Sequence, residues 1–126
     1  MDLEYIRDIF SAFGPVAVRR MFGGAGIYAD GLMFALLADG VIYLKVDAHN
    51  DGDFEREQLP PFTYLARSNK RVVMSYRRMP DRLYDDPEEL ARWAHDALTA
   101  ARRARTPASS GRGTAAKTGR GKKTRG

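Results

Sequence analysis

Two Asp-Gly pairs in the first half of the chain constrain its fold more than any other feature. Asp30-Gly31 and Asp39-Gly40 separate three short apolar runs. The runs are Ala25–Ala29, Leu32–Leu37 and Val41–Val46. Asp-Gly between apolar runs indicates a tight hairpin, because a type I′ turn needs positive φ at both central residues. The segment therefore predicts a three-stranded antiparallel meander, which the chain enters through a kink at the Gly23-Gly24 pair.

Helical periodicity and turn residues predict the other elements. The spacing of Leu3, Ile6, Ile9, Phe10 and Phe13 predicts a first helix capped by Asp2. A short strand is expected at Val16–Met21, a polar helix at Asn50–Leu59, and a second hairpin from Phe62–Arg67 and Arg71–Tyr76. The last helix has Asp86 as its cap, Pro87 at its first position, and an apolar stripe formed by Leu90, Trp93, Ala94, Ala97, Leu98 and Ala101.

The charge of the chain is divided between two segments. Residues 1–105 contain 15 Lys and Arg against 16 Asp and Glu, whereas residues 106–126 contain six basic residues and no acid. The six are Arg112, Lys117, Arg120, Lys122, Lys123 and Arg125. The second segment has no aromatic residue and no Leu, Ile, Val or Met, so it cannot bury enough apolar surface to fold. We therefore predict an ordered domain at 1–105 and a disordered basic tail at 106–126.

Composition excludes several classes of site. The absence of cysteine rules out disulfides, thiolate nucleophiles and Cys-type metal centres. No apolar run approaches the ~20 residues of a membrane helix, and the acidic start differs from a signal peptide. The expectation is a cytoplasmic protein with no membrane partner and no cofactor.

One set of residues around the first hairpins forms a recognisable motif: Arg20, Met21, Phe22, Gly23, Gly24, Gly26, Tyr28, Gly31, Tyr43 and Lys45. In order and spacing it resembles the N-terminal domain of the TfoX/Sxy competence regulators. The resemblance covers roughly Tyr5 to Ala101 and implies an α+β fold with helices flanking an antiparallel sheet in two layers. The implied order is helix, three strands, helix, two strands, helix. It also implies a non-enzymatic regulatory domain. Longer TfoX proteins carry a second, helical domain after this one, and we expect here a stand-alone N-terminal domain with a basic tail in its place.

Local motifs that might suggest chemistry have simpler interpretations. The glycines at 23–26 are followed by a strand rather than a helix, so a phosphate loop is not indicated. The acidic segment from Asp47 to Glu55 has Gln58 where a calcium loop needs its bidentate carboxylate, and His49 replaces an oxygen ligand. His49 and His95 belong to no recognisable catalytic motif, and His95 lies off the apolar stripe of the last helix. No catalytic or metal-binding residue is predicted.

Two basic segments are candidates for nucleic-acid contact. The second hairpin has Arg67, Lys70, Arg71, Arg77 and Arg78 close to Tyr64 and Tyr76, which suits single-stranded nucleic acid. The alternative is that the hairpin's alternating apolar residues belong to the core. These are Phe62, Tyr64 and Ala66 on one strand, with Val72, Met74 and Tyr76 on the other. The basic tail either attracts DNA or RNA without reading sequence or only improves solubility.

Three functional hypotheses follow. The first is a TfoX-N-like regulatory protein, linked by resemblance to competence or gene expression, that binds an unknown protein partner and associates with nucleic acid through its tail. The second is a homodimeric interaction module with an incidental tail, favoured if Met33 or Leu37 is exposed. The third is a small enzyme, which would need a deep pocket with convergent polar groups.

Overall fold

The computed structural model describes residues 1–21 and 23–105, which form one antiparallel sheet with three α-helices and a short 3₁₀ helix. The elements are α1 (Leu3–Ile9), β1 (Ala17–Met21), β2 (Gly24–Ala29), β3 (Leu32–Ala38), β4 (Val41–Lys45), α2 (Asp51–Arg56), β5 (Pro61–Leu65), β6 (Arg71–Arg78), the 3₁₀ helix (Asp81–Asp85) and α3 (Pro87–Arg105). The sheet has the strand order β1-β2-β3-β4-β6-β5. The predicted α+β class is confirmed.

The element order differs from the one that the family resemblance implied. Four strands, not three, lie between α1 and α2. The additional strand is β1, which pairs with β2 along its whole length, from Ala17 opposite Tyr28 to Met21 opposite Gly24. Gly23 has a φ of 79°, so the predicted kink is the place where the chain reverses. This reversal makes β1 an edge strand of the sheet.

The two Asp-Gly turns are formed as predicted. Asp30 and Gly31 have φ values of 53° and 75°, and Asp39 and Gly40 have values of 51° and 75°. Positive φ at both central residues is the type I′ requirement. These turns set the register of β2, β3 and β4, and the strand bounds differ from the prediction by one residue at most.

Both predicted helix caps are present. The Tyr5 N–H donates to Asp2 Oδ1 at 2.8 Å, and the Glu89 N–H donates to Asp86 Oδ1 at 3.2 Å. α2 is shorter than predicted at both ends. Asn50 precedes it and serves the loop, and the helix ends at Arg56 rather than Leu59, with Gln58 at a positive φ of 56°. The buried Asn50 side chain accepts from the Asp47 N–H and donates to the Lys45 carbonyl. The acidic segment is thus a structured turn into α2.

All three helices pack on the same face of the sheet. Ile6 and Phe10 of α1, Phe54 of α2, and the stripe of α3 share one core cluster with strand residues. The largest fully buried side chains are Phe10, Phe34, Phe54, Ile6, Ile27, Ile42, Leu44, Met79, Leu83 and Leu90. One row of strand residues on this face, Ile27, Ala35 and Leu44, is fully buried, so the helices exclude water from it.

Ion pairs join the end of α3 to the loops of the sheet. Arg102 pairs with Asp30 at 2.6 Å, and Arg103 pairs with Asp47 at 2.6 Å. Burial of the Asp47 carboxyl opposes ionisation, but the hydrogen bond from Arg103, a second from the His49 N–H, and nearby positive charge together hold its pKa below the usual value. The predicted stripe and the basic last turn of α3 therefore act together to hold this helix against the sheet.

In the described part of the chain, no helix is both long and apolar enough to cross a membrane. The predicted tail and its six basic residues lie outside the described residues.

Candidate interaction surface

The sheet face opposite the helices, here called the open face, carries no helix within the described residues. Its side chains are identified by cross-strand pairing, since directly opposed residues point to the same side. Gly26 is opposite Leu36, and Leu36 is opposite Tyr43. This row alternates with the fully buried row on the helical face. The sequence pattern of the central strands is apolar on both faces, although helices cover only one of them.

A groove of about 600 Å³ lies on the open face. One wall consists of residues from β1 to β3, and the other comes from the second hairpin. Methionines from three strands line it, namely Met21, Met33 and Met74, together with Leu36 and Phe62. Methionine side chains are flexible and polarisable, so such a surface can adapt to the shape of a bound partner.

The second hairpin extends beyond the rest of the sheet. β6 pairs with β4 only where Tyr76–Arg78 lie opposite Tyr43–Lys45. From residue 62 to residue 74, called here the arm, the hairpin strands pair only with each other. Large apolar side chains on the arm are exposed: Tyr64 by 45%, Leu65 by 59% and Val73 by 65%. The arm is therefore a projecting apolar element.

The alternative, that the alternating apolar residues of the hairpin belong to the core, is wrong for five of the six residues. Only Tyr76 is buried, while Tyr64 is exposed and the other four are half-buried. The reason is that these residues lie on the open face, which carries no helix within the described residues. Burial raises the pKa of the Tyr76 hydroxyl to about 12, and the nearby Tyr28 adds to that shift. The neutral hydroxyl donates to the Met33 carbonyl at 3.3 Å and so ties the base of the arm to β3.

The five basic residues of the second hairpin fall into two groups. Arg77 contacts Asp51 and Glu55 of α2 and donates to the Leu59 carbonyl, while Arg78 contacts Asp81. The hydrogen bond with Glu55, and then that with Asp51, raises the pKa of Arg77 above its ordinary value. Arg77 is thus committed to the fold, whereas Arg78 keeps an exposed side chain in a surface ion pair.

The basic residues of the arm itself remain accessible. Arg67, Lys70 and Arg71 are exposed and have no carboxylate partner within the described residues. Arg71 donates to the Thr63 hydroxyl at 3.0 Å. Arg67 lines the groove, so positive charge lies beside its apolar floor.

The residues that carry the family resemblance are concentrated around the open face. The Cβ that an alanine would place at residue 26 would meet Met21 Cε and Met33 Sδ at 2.8 Å and Tyr28 Cε1 at 2.9 Å. Gly26 therefore leaves room for these side chains to lie flat on the sheet. Arg19 lies 5.6 Å from the centre of the Tyr28 ring in a cation–π contact.

The remaining motif residues have different surroundings. The Tyr43 ring packs against Phe62 with centroids 5.0 Å apart, and Lys45 Nζ lies 5.1 Å from the centre of the Tyr76 ring. Arg20 and Gly31 are exposed, and Phe22 lies outside the described residues. Their role in family recognition stays a prediction.

A separate polar cluster joins the 3₁₀ helix to α2 and α3. Arg82 binds Glu57 at 2.5 Å and Glu89 at 3.1 Å, and its guanidinium lies 5.8 Å from the centre of the Trp93 ring. Hydrogen bonds from Arg82, and then from Trp93, lower the pKa of Glu89. Arg92 also pairs with Glu89, at 3.0 Å, so two arginines balance two glutamates in a cluster that holds three elements together.

The two histidines are exposed and lie on different elements. His49 belongs to the turn before α2, while the His95 ring packs on Phe13 with centroids 4.8 Å apart. The carboxylates of the acidic segment contact arginines: Asp47 with Arg103, Asp51 and Glu55 with Arg77, and Asp53 with Arg56. Sequence reasoning did not predict the groove, although Met33 and Leu37, which it named as candidate exposed residues, both line it and are half-buried.

Comparison with known families identifies one match. The family model described as the TfoX N-terminal domain matches residues 8–101. A search of curated proteins found no match. The matched range includes all six strands and the groove between them.

Proposed function

Because this chain belongs to the family of the TfoX N-terminal domain, we propose that it is a non-enzymatic regulatory protein that acts by binding another protein. The observation that carries the proposal is the apolar groove on the open face. Soluble proteins rarely expose a large continuous apolar surface, and such surfaces commonly mark sites of interaction. Family membership favours a role in regulation, with competence or gene expression as the process.

The chemistry of the described residues supports binding over catalysis. An active site brings a nucleophile, an acid or a base together in a pocket with convergent polar groups. Here the groove is lined by thioether, aliphatic and aromatic side chains, with Arg67 as its charged member. The acids around α2 bind arginines across element boundaries. These ion pairs stabilise the fold, and the apolar groove is the candidate interaction site.

A genetic replacement tests the regulatory role. In the organism that encodes the chain, transcripts are compared among a deletion strain and strains carrying Met74→Glu or Val73→Glu. Deletion and Met74→Glu are expected to change the same transcripts, because Met74 lines the groove. Val73→Glu is expected to resemble wild type, because this neighbouring residue is 65% exposed and does not line the groove. Immunoblots confirm equal protein levels, and an unchanged transcript profile on deletion would contradict a regulatory role.

The basic tail favours a second, subsidiary activity, non-specific association with DNA or RNA. Its six cations are Arg112, Lys117, Arg120, Lys122, Lys123 and Arg125. A basic segment of this composition attracts phosphates by releasing counterions and does not read sequence. The alternative, a homodimer with a solubilising tail, has the exposed arm in its favour.

The tail hypothesis is tested with full-length protein, by comparing wild type with a variant in which all six tail cations are glutamine. We expect wild type to bind a labelled duplex with a log–log salt slope no steeper than about −5, the limit for six phosphate contacts. The glutamine variant should lose most of this affinity at low salt. Equal binding by the two proteins would exclude the tail as the contact.

A further inference from the structure

We infer that the groove on the open face binds an acidic amphipathic helix of a partner protein, with apolar side chains on the groove floor and carboxylates beside the basic arm. The inference rests on the proposed function, protein binding through the open face, and adds the chemistry of the partner. It follows from the groove lining, from the charge around it, and from the poor fit of other occupants.

The lining suits apolar side chains presented by a helix. Met21, Met33 and Met74 come from three different strands, and Leu36, Phe62 and Tyr64 complete much of the surface. A helix bound in a groove presents anchors at i, i+3, i+4 and i+7 along one side. Flexible methionines allow such anchors to be accommodated without one fixed pocket shape for each.

Positive charge flanks the groove at both ends. At the arm end, Arg67 lines the groove and Lys70 lies in the loop of the arm, and residues 58–80 contain no acidic residue. At the β1 end, Arg19, which is opposite Gly26 and so on the open face, is exposed and has no carboxylate partner within residues 1–21 and 23–105. Asp39, which follows the lining residue Ala38, is the acidic residue adjacent in sequence to the groove lining. The surroundings of the groove therefore favour an acidic partner.

Three other occupants fit less well. The chain's own tail is basic and has no large apolar residue, so it has neither the charge nor the anchors for this site. A second copy bound through the arm would place its Arg67, Lys70 and Arg71 against the same cations. Single-stranded nucleic acid would find phosphate contacts on the arm, but the apolar floor offers its bases few hydrogen-bonding groups.

The experiment uses the full-length protein and two fluorescein-labelled synthetic peptides. Both carry leucines at helical spacing, and the flanking positions are glutamate in one and lysine in the other. Fluorescence anisotropy should show the glutamate peptide binding at least about tenfold more tightly than the lysine peptide. Circular dichroism should show that the glutamate peptide gains helicity on binding. Equal affinity for the two peptides would overturn the inference.

Neighbouring substitutions locate the site. Met74→Glu is expected to weaken the glutamate peptide about tenfold or more, whereas Val73→Glu should stay within about twofold of wild type. Arg67→Glu reverses a charge at an exposed residue, so it should leave the fold intact. Arg7→Glu makes the same change at an exposed residue of α1 and is its matched control. Arg67→Glu should weaken binding several-fold and Arg7→Glu should not. Equal effects within either pair would overturn the inference.

Two further measurements distinguish the other occupants. The first is sedimentation of the full-length protein. A wild-type dimer that becomes a monomer in the Met74→Glu variant would oppose the inference. A labelled single-stranded oligonucleotide would oppose it if it displaces the glutamate peptide and its own binding depends on Arg67. If deletion alters transcripts but the glutamate peptide does not bind, the regulatory function stands and only the acidic helix is rejected as the partner.

Discussion

Replacing Phe34 with alanine is expected to destabilise the protein by about 4 kcal/mol, the cost of removing a large aromatic side chain from a closed core. Phe34 is fully buried, and its ring lies 5.5 Å from Phe10 and 5.0 Å from Phe13 between ring centres. It lies on β3 beside the register shift where this strand meets β2. The ring therefore joins α1 to the sheet at a point that no neighbouring side chain can fill.

The effect is measured by urea unfolding followed by circular dichroism. A small domain has a total stability of about 5–15 kcal/mol, so Phe34→Ala should lower the unfolding midpoint sharply. Leu65→Ala is the matched control, because Leu65 is 59% exposed on the arm and should change stability by less than about 0.5 kcal/mol. Similar midpoints for the two variants would show that the core is not packed as described.

Gly24→Ala is expected to cost about 3 kcal/mol, because the new methyl group would overlap backbone that cannot rotate away. A Cβ at this position would overlap the Leu37 carbonyl oxygen and lie 3.2 Å from its carbon. The next residue, Ala25, pairs with Leu37, so relief of the clash requires β2 and β3 to separate. The φ of Gly24 is not positive, so the cost comes from this close approach and not from backbone strain.

Gly26→Ala is the control for that clash. Its added methyl group would meet only the ends of the Met21, Met33 and Tyr28 side chains, at 2.8 to 2.9 Å, and these ends can move. We therefore expect a loss below about 1 kcal/mol. Thermal unfolding of the two variants side by side measures the difference. If Gly24→Ala is as stable as Gly26→Ala, the close approach of Leu37 to β2 is contradicted.

Most of the local structure could be predicted because short-range chemistry decides it. Asp39-Gly40 needs no distant partner to form a type I′ turn, and Asp86 caps α3 through an N–H three residues away. The apolar stripe of α3 likewise follows from helical periodicity. The fold class follows from the order of such elements.

The prediction was less accurate where distant parts of the chain meet. The place of β1 in the sheet depends on pairing with β2, and the start of α2 depends on the use of Asn50 by the preceding loop. Of the hairpin arginines, only the structure distinguishes Arg77, whose partners lie on α2, from Arg67 beside the groove. Sequence spacing alone treats the two as equivalent.

The sequence by itself determined the turns, the helix caps, the α+β class and the family. It also determined that the net positive charge is concentrated in residues 106–126. Tertiary structure decided which apolar surface is buried, since the same alternating strand pattern serves a face covered by helices and a face left open. Leu44 and Met74 illustrate this: both are apolar strand residues, but Leu44 lies under the helices and Met74 lines the groove. The physical reason is that burial depends on which distant elements pack together, and this information is not contained in any local window of the chain.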